Sequence, residues 1–488
     1  MTLIEFPQSV CEFGIATGDI TPPVGMYHRM WGAAKHDRST GIHRPLTASA
    51  VLFREVASES SPDSQQLMIA LDHCLLEQSE IDRIVAAIEE EAGIPSASTV
   101  VVFSHTHAAG LLTRDRCELP GGELIPDYLD SVAKTVAQLA ARAVDELQEV
   151  TISYANGHCD LAAHRDLYDE VTHQWVCGYN PSGIADDLVL VARVTNSSGA
   201  IVATVVNYAC HPTTLAWDNQ LVSPDYPGAM RELIEQATEA PCVFIQGASG
   251  DIGPRHGFVG DTSVADRNGR QLGYAALSSL EGLPAASTRF EYSGPVVSGA
   301  TIGPWHASPL PAERQADCAQ WRTDRQKVPL SYRPELPTLD DASREQDELQ
   351  RQEQSARDAG DDQQAADLRA LVERKSRLIT RLVCLPSDRY PFRTVLWRVG
   401  DAVWVAVQGE PYQILQRELR RRFPGVPVIV AVLADGWGAS YLPPAELYGQ
   451  GIYQETVAVV SAGSLEHLID NLTARITACL PSNTAGKS

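Results

Sequence analysis

The sequence predicts an α/β protein, with mixed β-sheets flanked by helices in an αββα-like layered catalytic domain and a helical hairpin inserted into it. Two observations carry this reading. Apolar runs of strand length alternate with longer amphipathic stretches along most of the chain, and one segment breaks the alternation with a run of Gln, Glu, Asp, Arg and Ala.

Taken in order, LMIALD is followed by EIDRIVAAIEEEAG, and TVVVFSH by YLDSVAKTVAQLAARAVDEL, each a strand and then a helix with apolar residues at three-to-four spacing. VTISYA, LVLVARV and IVATVVNYA read as successive strands before the helix YPGAMRELIEQAT, and CVFIQG leads into VADRNGRQLGYAALSSL. Near the C-terminus TVLWRVGDAVWVAVQG reads as a β-hairpin, YQILQRELRRRFP as a helix and VPVIVAVLA as a buried strand. The interrupting segment spans 311–384, with Asp358-Ala359-Gly360-Asp361 as its break. Leu368, Leu371, Val372, Leu378, Ile379 and Leu382 give its second arm one apolar stripe, while the first arm is polar nearly all round. The expected division is therefore a body of 1–310 plus 385–488 and a charged hairpin of 311–384. The hairpin's outer face is either solvated or a surface for a partner, a second copy of the chain included.

Composition sets limits. With 44% hydrophobic and 21% charged residues the chain can bury a large core. A net charge of −23 with no Lys/Arg-rich stripe repels phosphate backbones, which excludes a nucleic-acid partner. No run approaches the ~18 apolar residues of a membrane span, and the first residues lack a basic region followed by an apolar one, so the expected location is the cytoplasm. Ten cysteines without a CxxC pair argue against both a disulfide framework and a zinc ribbon.

Chemistry-bearing residues gather at predicted strand ends. In FSHTHAAG, His105 and His107 are two residues apart, and on a strand both would project to one side. They are metal ligands or a hydrogen-bonded pair. The metallo-β-lactamase signature HxHxDH is absent, because Ala109 and Gly110 stand where Asp and His belong. His211 follows the strand VVNYA, and Glu410 follows WVAVQ after Gly409. Such residues at several strand mouths suggest convergence on one rim and tilt the reading to a metal site. Asp72 and His73 in LDHCLL are candidates for a second metal. His28, His36 and His43 either line a pocket or sit on the surface. FIQGASGDIGPR is neither a phosphate loop nor a nucleophile elbow, since Asp251 occupies the place of the final glycine in GxSxG; it reads as a tight turn lining a pocket.

GIATGDITPP, FSHTHAAG, NYACHPTTL with SPDYPGAMRELIE, FIQGASGDIGP, VQGEPYQIL and LADGWGASYLPPAELYGQGIYQE resemble, in that order, motifs of the neutral/alkaline non-lysosomal ceramidases and their bacterial relatives. The resemblance covers the body and omits the hairpin. It implies a zinc-dependent amidase with one Zn²⁺ per chain, held by His105, His211, Glu410 and Tyr441. It further implies that His107 stands beside the metal, that Arg165 touches the scissile amide or the product carboxylate, and that Tyr441 also serves catalysis. Asp19 in TGDITPP and Asp225 in SPDYPG match family positions, and both also read as turn or N-cap residues. With Ser249 and Asp251 they are the expected substrate-binding residues.

Two departures shape the functional expectation. Gly253 stands where ceramidases carry a serine proposed as a nucleophile, so water is the expected attacking group. The secreted ceramidases also have a signal sequence and a C-terminal β-sandwich that are not recognised here. The expected activity is cleavage of a small amide or acyl substrate by metal-activated water. The alternatives are an ester or lactone hydrolase on the same site, or a non-catalytic zinc- or ligand-binding relative.

Overall fold

The computed structural model describes residues 2–58, 61–386 and 388–481. Its largest sheet runs Cys242–Gln246, Ile201–Tyr208, Leu188–Asn196, Gln148–His158, Gln8–Asp19, Thr47–Arg54, Gln65–Leu71 and Thr99–Phe103 from edge to edge. Its neighbours are antiparallel except for the two edge pairs, which are parallel. A second sheet orders Trp321–Leu330, Tyr390–Val399, Ala402–Val407 and Val428–Ala431. The expected mixed α/β class is thus the observed one.

The sheets stack because both have an apolar inner face. Phe13, Phe53, Val150 and Ile152 of the first meet Trp397, Trp404 and Ile429 of the second. Trp397 stacks on Trp404 at 5.6 Å between ring centroids, and Phe53 lies 5.0 Å from Trp404. Burying such rings contributes about 1.5–3 kcal/mol each before entropy is counted. The helices Gln78–Ala92 and Ile125–Asp145 pack their apolar stripes, Ile81, Ile84 and Ile88 with Leu129, Val132 and Val136, into the core on the outer face of the first sheet. Tyr226–Thr238 and Thr262–Glu281 cover the rest of it through Met230, Ile234 and Leu272. Ile414–Arg422 and Ser464–Cys479 bury Leu415, Leu419, Leu465, Leu468 and Leu472 against the second sheet.

The inserted segment differs from expectation at its start. Trp321–Leu330 is an edge strand paired antiparallel with Tyr390–Val399, so residues before the hairpin belong to the body. Its sequence, WRTDRQKVPL, has no apolar run because an edge strand needs only one buried side. The hairpin is narrower: helices Leu339–Asp358 and Asp362–Val383. Thr338 and Asp361 cap the two helices by accepting from the amides of Asp341 and Gln364. The second helix does not stand clear of the body. Arg116 pairs with Glu373 at 2.7 Å, Arg369 with Asp37 at 3.0 Å, and Arg377 donates to the carbonyl of Met30 at 2.6 Å. A Cβ on Gly32 would meet that of Ala370 at 2.8 Å, so a glycine allows the helix to lie this close.

Candidate metal centre

Strand ends build the centre, although not as simple alternation predicts. The strand Thr99–Phe103 stops before His105, whose φ of +66° turns the chain into the left-handed region, and His107 opens a single 3₁₀ turn. A non-glycine residue there is strained, and the surrounding bonds must hold it. The amide of His105 donates to the carbonyl of His73 at 2.9 Å. His105 and His107 still converge, with ring centroids 5.0 Å apart, because of the turn rather than a shared strand face. His211 lies three residues beyond the strand Ile201–Tyr208. Glu410 follows Gly409, whose φ is +69° and where a Cβ would meet the carbonyl of Ser440 at 2.5 Å. Glu410 pairs in parallel register with Tyr441, which brings that tyrosine to the site.

The ligand atoms meet closely. His105 Nε2 lies 2.9 Å from His211 Nε2 and 3.3 Å from Glu410 Oε2, and His211 Nε2 lies 3.5 Å from the same oxygen. Zinc bonds of about 2.0–2.1 Å place tetrahedral ligand atoms about 3.3 Å apart, which is the size of this triangle. The proton positions sharpen the fit. His105 Nδ1 donates to the carbonyl of Cys74 at 2.7 Å and His211 Nδ1 to that of Ser249 at 3.3 Å, so in the neutral rings both Nε2 lone pairs face the carboxylate oxygen. Glu410 Oε2 is buried with no hydrogen-bond donor, which suits an atom reserved for a cation.

Charge at the centre follows the same logic. Burial opposes a proton on His105, yet Cys74 and the Glu410 carboxylate raise its pKa well above the ordinary value, so the triangle draws positive charge. Burial, with Arg165 and the neighbouring histidines, keeps His211 far below the ordinary value and hence neutral. Burial would raise Glu410; His105, Arg165 and the Tyr441 hydroxyl outweigh it and hold the carboxyl ionised. His107 is depressed by burial first and then by His105, Arg165 and Arg377. Both its ring nitrogens are buried without a partner.

Arg165 donates through Nη2 to the carbonyl of Gly250 at 2.7 Å and to the Tyr441 hydroxyl at 3.2 Å. Its buried Nε has no acceptor. The four expected substrate-binding residues all make bonds within the chain. Asp19 is exposed and closes a turn by accepting from the amide of Thr21 at 2.7 Å. Asp225 caps a helix, accepting from the amides of Tyr226 and Leu215, at a φ of +57°. Ser249 fixes His211 through its carbonyl while its hydroxyl meets Gln246 at 2.6 Å. Asp251 accepts from the amide and side chain of Gln413, both at 2.7 Å, and so ties down the chain just after Glu410. Asp19 and Asp225 bond neighbouring backbone amides, as short polar side chains at turns do, whereas Ser249 and Asp251 bond the side chains of Gln246 and Gln413.

The second-metal candidates are committed elsewhere. Asp72 forms a two-pronged pair with Arg231, and His73 meets the Tyr128 hydroxyl at 2.8 Å. Cys74 with His105 and His107 makes another cluster among the described residues, but His105 Nδ1 is already the donor to Cys74's carbonyl. His28 is buried between His36 and the Ala108 carbonyl, and His43 bonds Ser223 and Asp266, so neither side chain is simply a surface group.

Residues unmarked by the sequence complete the surroundings. Trp437 donates its Nε1–H to Glu410 Oε1, fixing the carboxylate from the side away from the histidines. Trp31 packs 5.0 Å from His107 and edge-on to Trp217 and Phe258. Trp31 lies between His28 and His36 in HRMWGAAKH, and which side chains of that stretch turn inward is decided by the fold.

The model of the family described as neutral/alkaline non-lysosomal ceramidase, N-terminal, matches residues 12–263, just over half of the chain. The chain belongs to the neutral/alkaline non-lysosomal ceramidase family. That is a family of amide-bond hydrolases. The matched region holds His105, Arg165 and His211, while Glu410 and Tyr441 come from beyond it. Among solved structures, neutral ceramidase from Pseudomonas aeruginosa is similar with a TM-score of 0.65 and 14% identity, covering 99% of this chain and 76% of that one. A ceramidase complexed with C2 is similar to the same degree, TM-score 0.65 and 14% identity over 99% of this chain and 77% of the other. At that identity the likeness is one of fold. Among curated protein sequences, none matches this chain.

Proposed function

We propose that this ceramidase-family chain is a zinc-dependent hydrolase that cleaves the amide bond of a small acyl substrate with water as the nucleophile. The observation that carries the reading is the convergence of His105 Nε2, His211 Nε2 and Glu410 Oε2, three electron-pair donors within 3.5 Å of one another in a buried site. Tyr441, in register with Glu410, would be the fourth ligand. A zinc ion held there would supply Lewis acidity and lower the pKa of a bound water from about 15.7 to about 7.

The chain's own groups account for the rest. The amide's carbonyl oxygen gains negative charge as water adds, and Arg165, braced by Gly250 and Tyr441, has a buried Nε–H free to meet it. His107 holds a proton weakly in its buried position, so a proton reaching it passes readily to the leaving nitrogen. The aromatic wall of Trp31, Trp217 and Phe258 beside His107 offers an apolar bed for the acyl part. No side-chain nucleophile stands at Gly253. A Cβ there would come no closer than 3.5 Å to Thr213 and 3.9 Å to Arg165 and His211, so a side chain could begin at this position without a clash.

Protein from zinc-replete expression should carry close to one zinc per chain and hydrolyse acyl amides in a chelator-sensitive way, and His211→Ala should lose both properties. A metal-free wild-type chain would overturn the reading.

A further inference from the structure

The second hairpin helix, Asp362–Val383, carries five cations in a protein that has 62 acidic against 39 basic residues. Nearly all have polar partners among the described residues: Arg369 pairs with Asp37, Arg374 donates to Thr456, Lys375 pairs with Glu345, and Arg377 with Glu373. Arg381 is the exception. None of the described residues accepts a hydrogen bond from its guanidinium, its Nε is buried, and its contact is the face of Trp437, 4.7 Å from the ring centre. Burial brings its pKa down to about 10, which leaves it charged at neutral pH.

Location gives this cation meaning. The indole it covers is the one whose Nε1–H bonds Glu410, so one ring separates the guanidinium from a ligand of the centre. Tyr441 and Tyr453, with rings 5.8 Å apart, lie within electrostatic reach of it. A half-buried guanidinium without an anion is costly, and its planar fork matches a carboxylate.

We propose that Arg381 receives a carboxylate of the substrate, so that the amide cleaved is an anionic one of the N-acyl amino acid class. This rests on the amide-hydrolase reading above and adds to it the charge of the substrate. The hairpin is then a specificity element, and Arg381 binds a group of the substrate that is not itself cleaved.

The test compares N-decanoylglycine with N-decanoylethanolamine, an uncharged amide of similar length, on the zinc-loaded full chain. The wild type should favour the glycine conjugate in kcat/KM by at least about tenfold, the effect of one charge-assisted hydrogen bond, mainly through KM. Arg381→Gln should bring the ratio close to one, and Arg381→Lys should keep part of it. A wild-type ratio of one or less, or an equal loss for both amides in Arg381→Gln, overturns the proposal, since a purely structural arginine would weaken both alike. If neither amide is hydrolysed, the hydrolase reading fails and calorimetric binding decides this one. A preference for N-decanoylglycine that Arg381→Gln abolishes supports the carboxylate site, and equal binding of the two overturns it.

Discussion

The loops carrying His105, His211 and Glu410 leave strands that are buried along nearly their whole length, whereas the hairpin helices bury only Ala342, Ala356 and Ala365. One region is held by close-packed apolar side chains and the other by ion pairs such as Arg116–Glu373 and Arg369–Asp37. Packed sheets fix positions to fractions of an ångström, as metal ligands require, while solvated ion pairs are individually weak and tolerate adjustment. On the proposed reading the reaction belongs to the sheets and selectivity to the hairpin.

Substitutions can break the comparison from the sheet side first. His105→Ala should lower zinc affinity by more than about 100-fold, beyond the range for removing an outer partner of a ligand. His107→Ala should keep zinc and lose about 10²–10⁴ in kcat, the size of a general acid's contribution. Metal analysis beside steady-state kinetics separates the two, and equal zinc loss in both variants would break the division between the histidines. Trp437→Phe keeps the ring under Arg381 and removes the donor to Glu410, so zinc affinity or rate should fall about 10–100-fold.

Acid should act on the body before it acts on the hairpin. Burial holds His28 and His73 at about 4, so below the unfolded value of about 6.5 the unfolded chain binds protons that the folded one refuses, and stability falls as pH drops. Asp225, raised to about 6 by burial, works in the opposite sense between about 4 and 6. Together these groups should remove about 2–3 kcal/mol between pH 7 and pH 5, read from urea midpoints of chelated protein. Burial alone would raise Glu373, but Arg377 and Arg116 bring it to about 2, so this anchor persists until much lower pH. Glu373→Gln should therefore cost about 1–2 kcal/mol at neutral pH and open the hairpin to proteolysis, with zinc content unchanged. Loss of zinc in that variant would show that the two regions are not independent.

Much of the centre was legible because its residues interrupt apolar runs. A histidine or glutamate directly after a buried strand has no packing reason to be there, and the family motifs named the set to which His105, His211, Glu410 and Tyr441 belong. The partners were not legible. Trp437 and Trp31 look like any core aromatic, and Arg377 and Arg381 on a polar helix read the same whether they face water or a cavity. Asp19, Asp225, Ser249 and Asp251 lie in recognisable motifs, yet a motif does not say which hydrogen bonds its residues make, and only the fold brings Asp251 to Gln413. Trp321–Leu330 escaped notice because an edge strand carries half the apolar signal of a central one.

His105 and His211 hang from the eight-stranded sheet and Glu410 from the four-stranded one, so an ion bound by all three would cross-link the two layers across a loop of the chain from His211 to Glu410. All ten cysteines are free thiols, so no covalent bridge does this work. The metal would then be a reversible staple as well as a reagent, and tightening or releasing it would set how firmly the halves of the molecule grip each other.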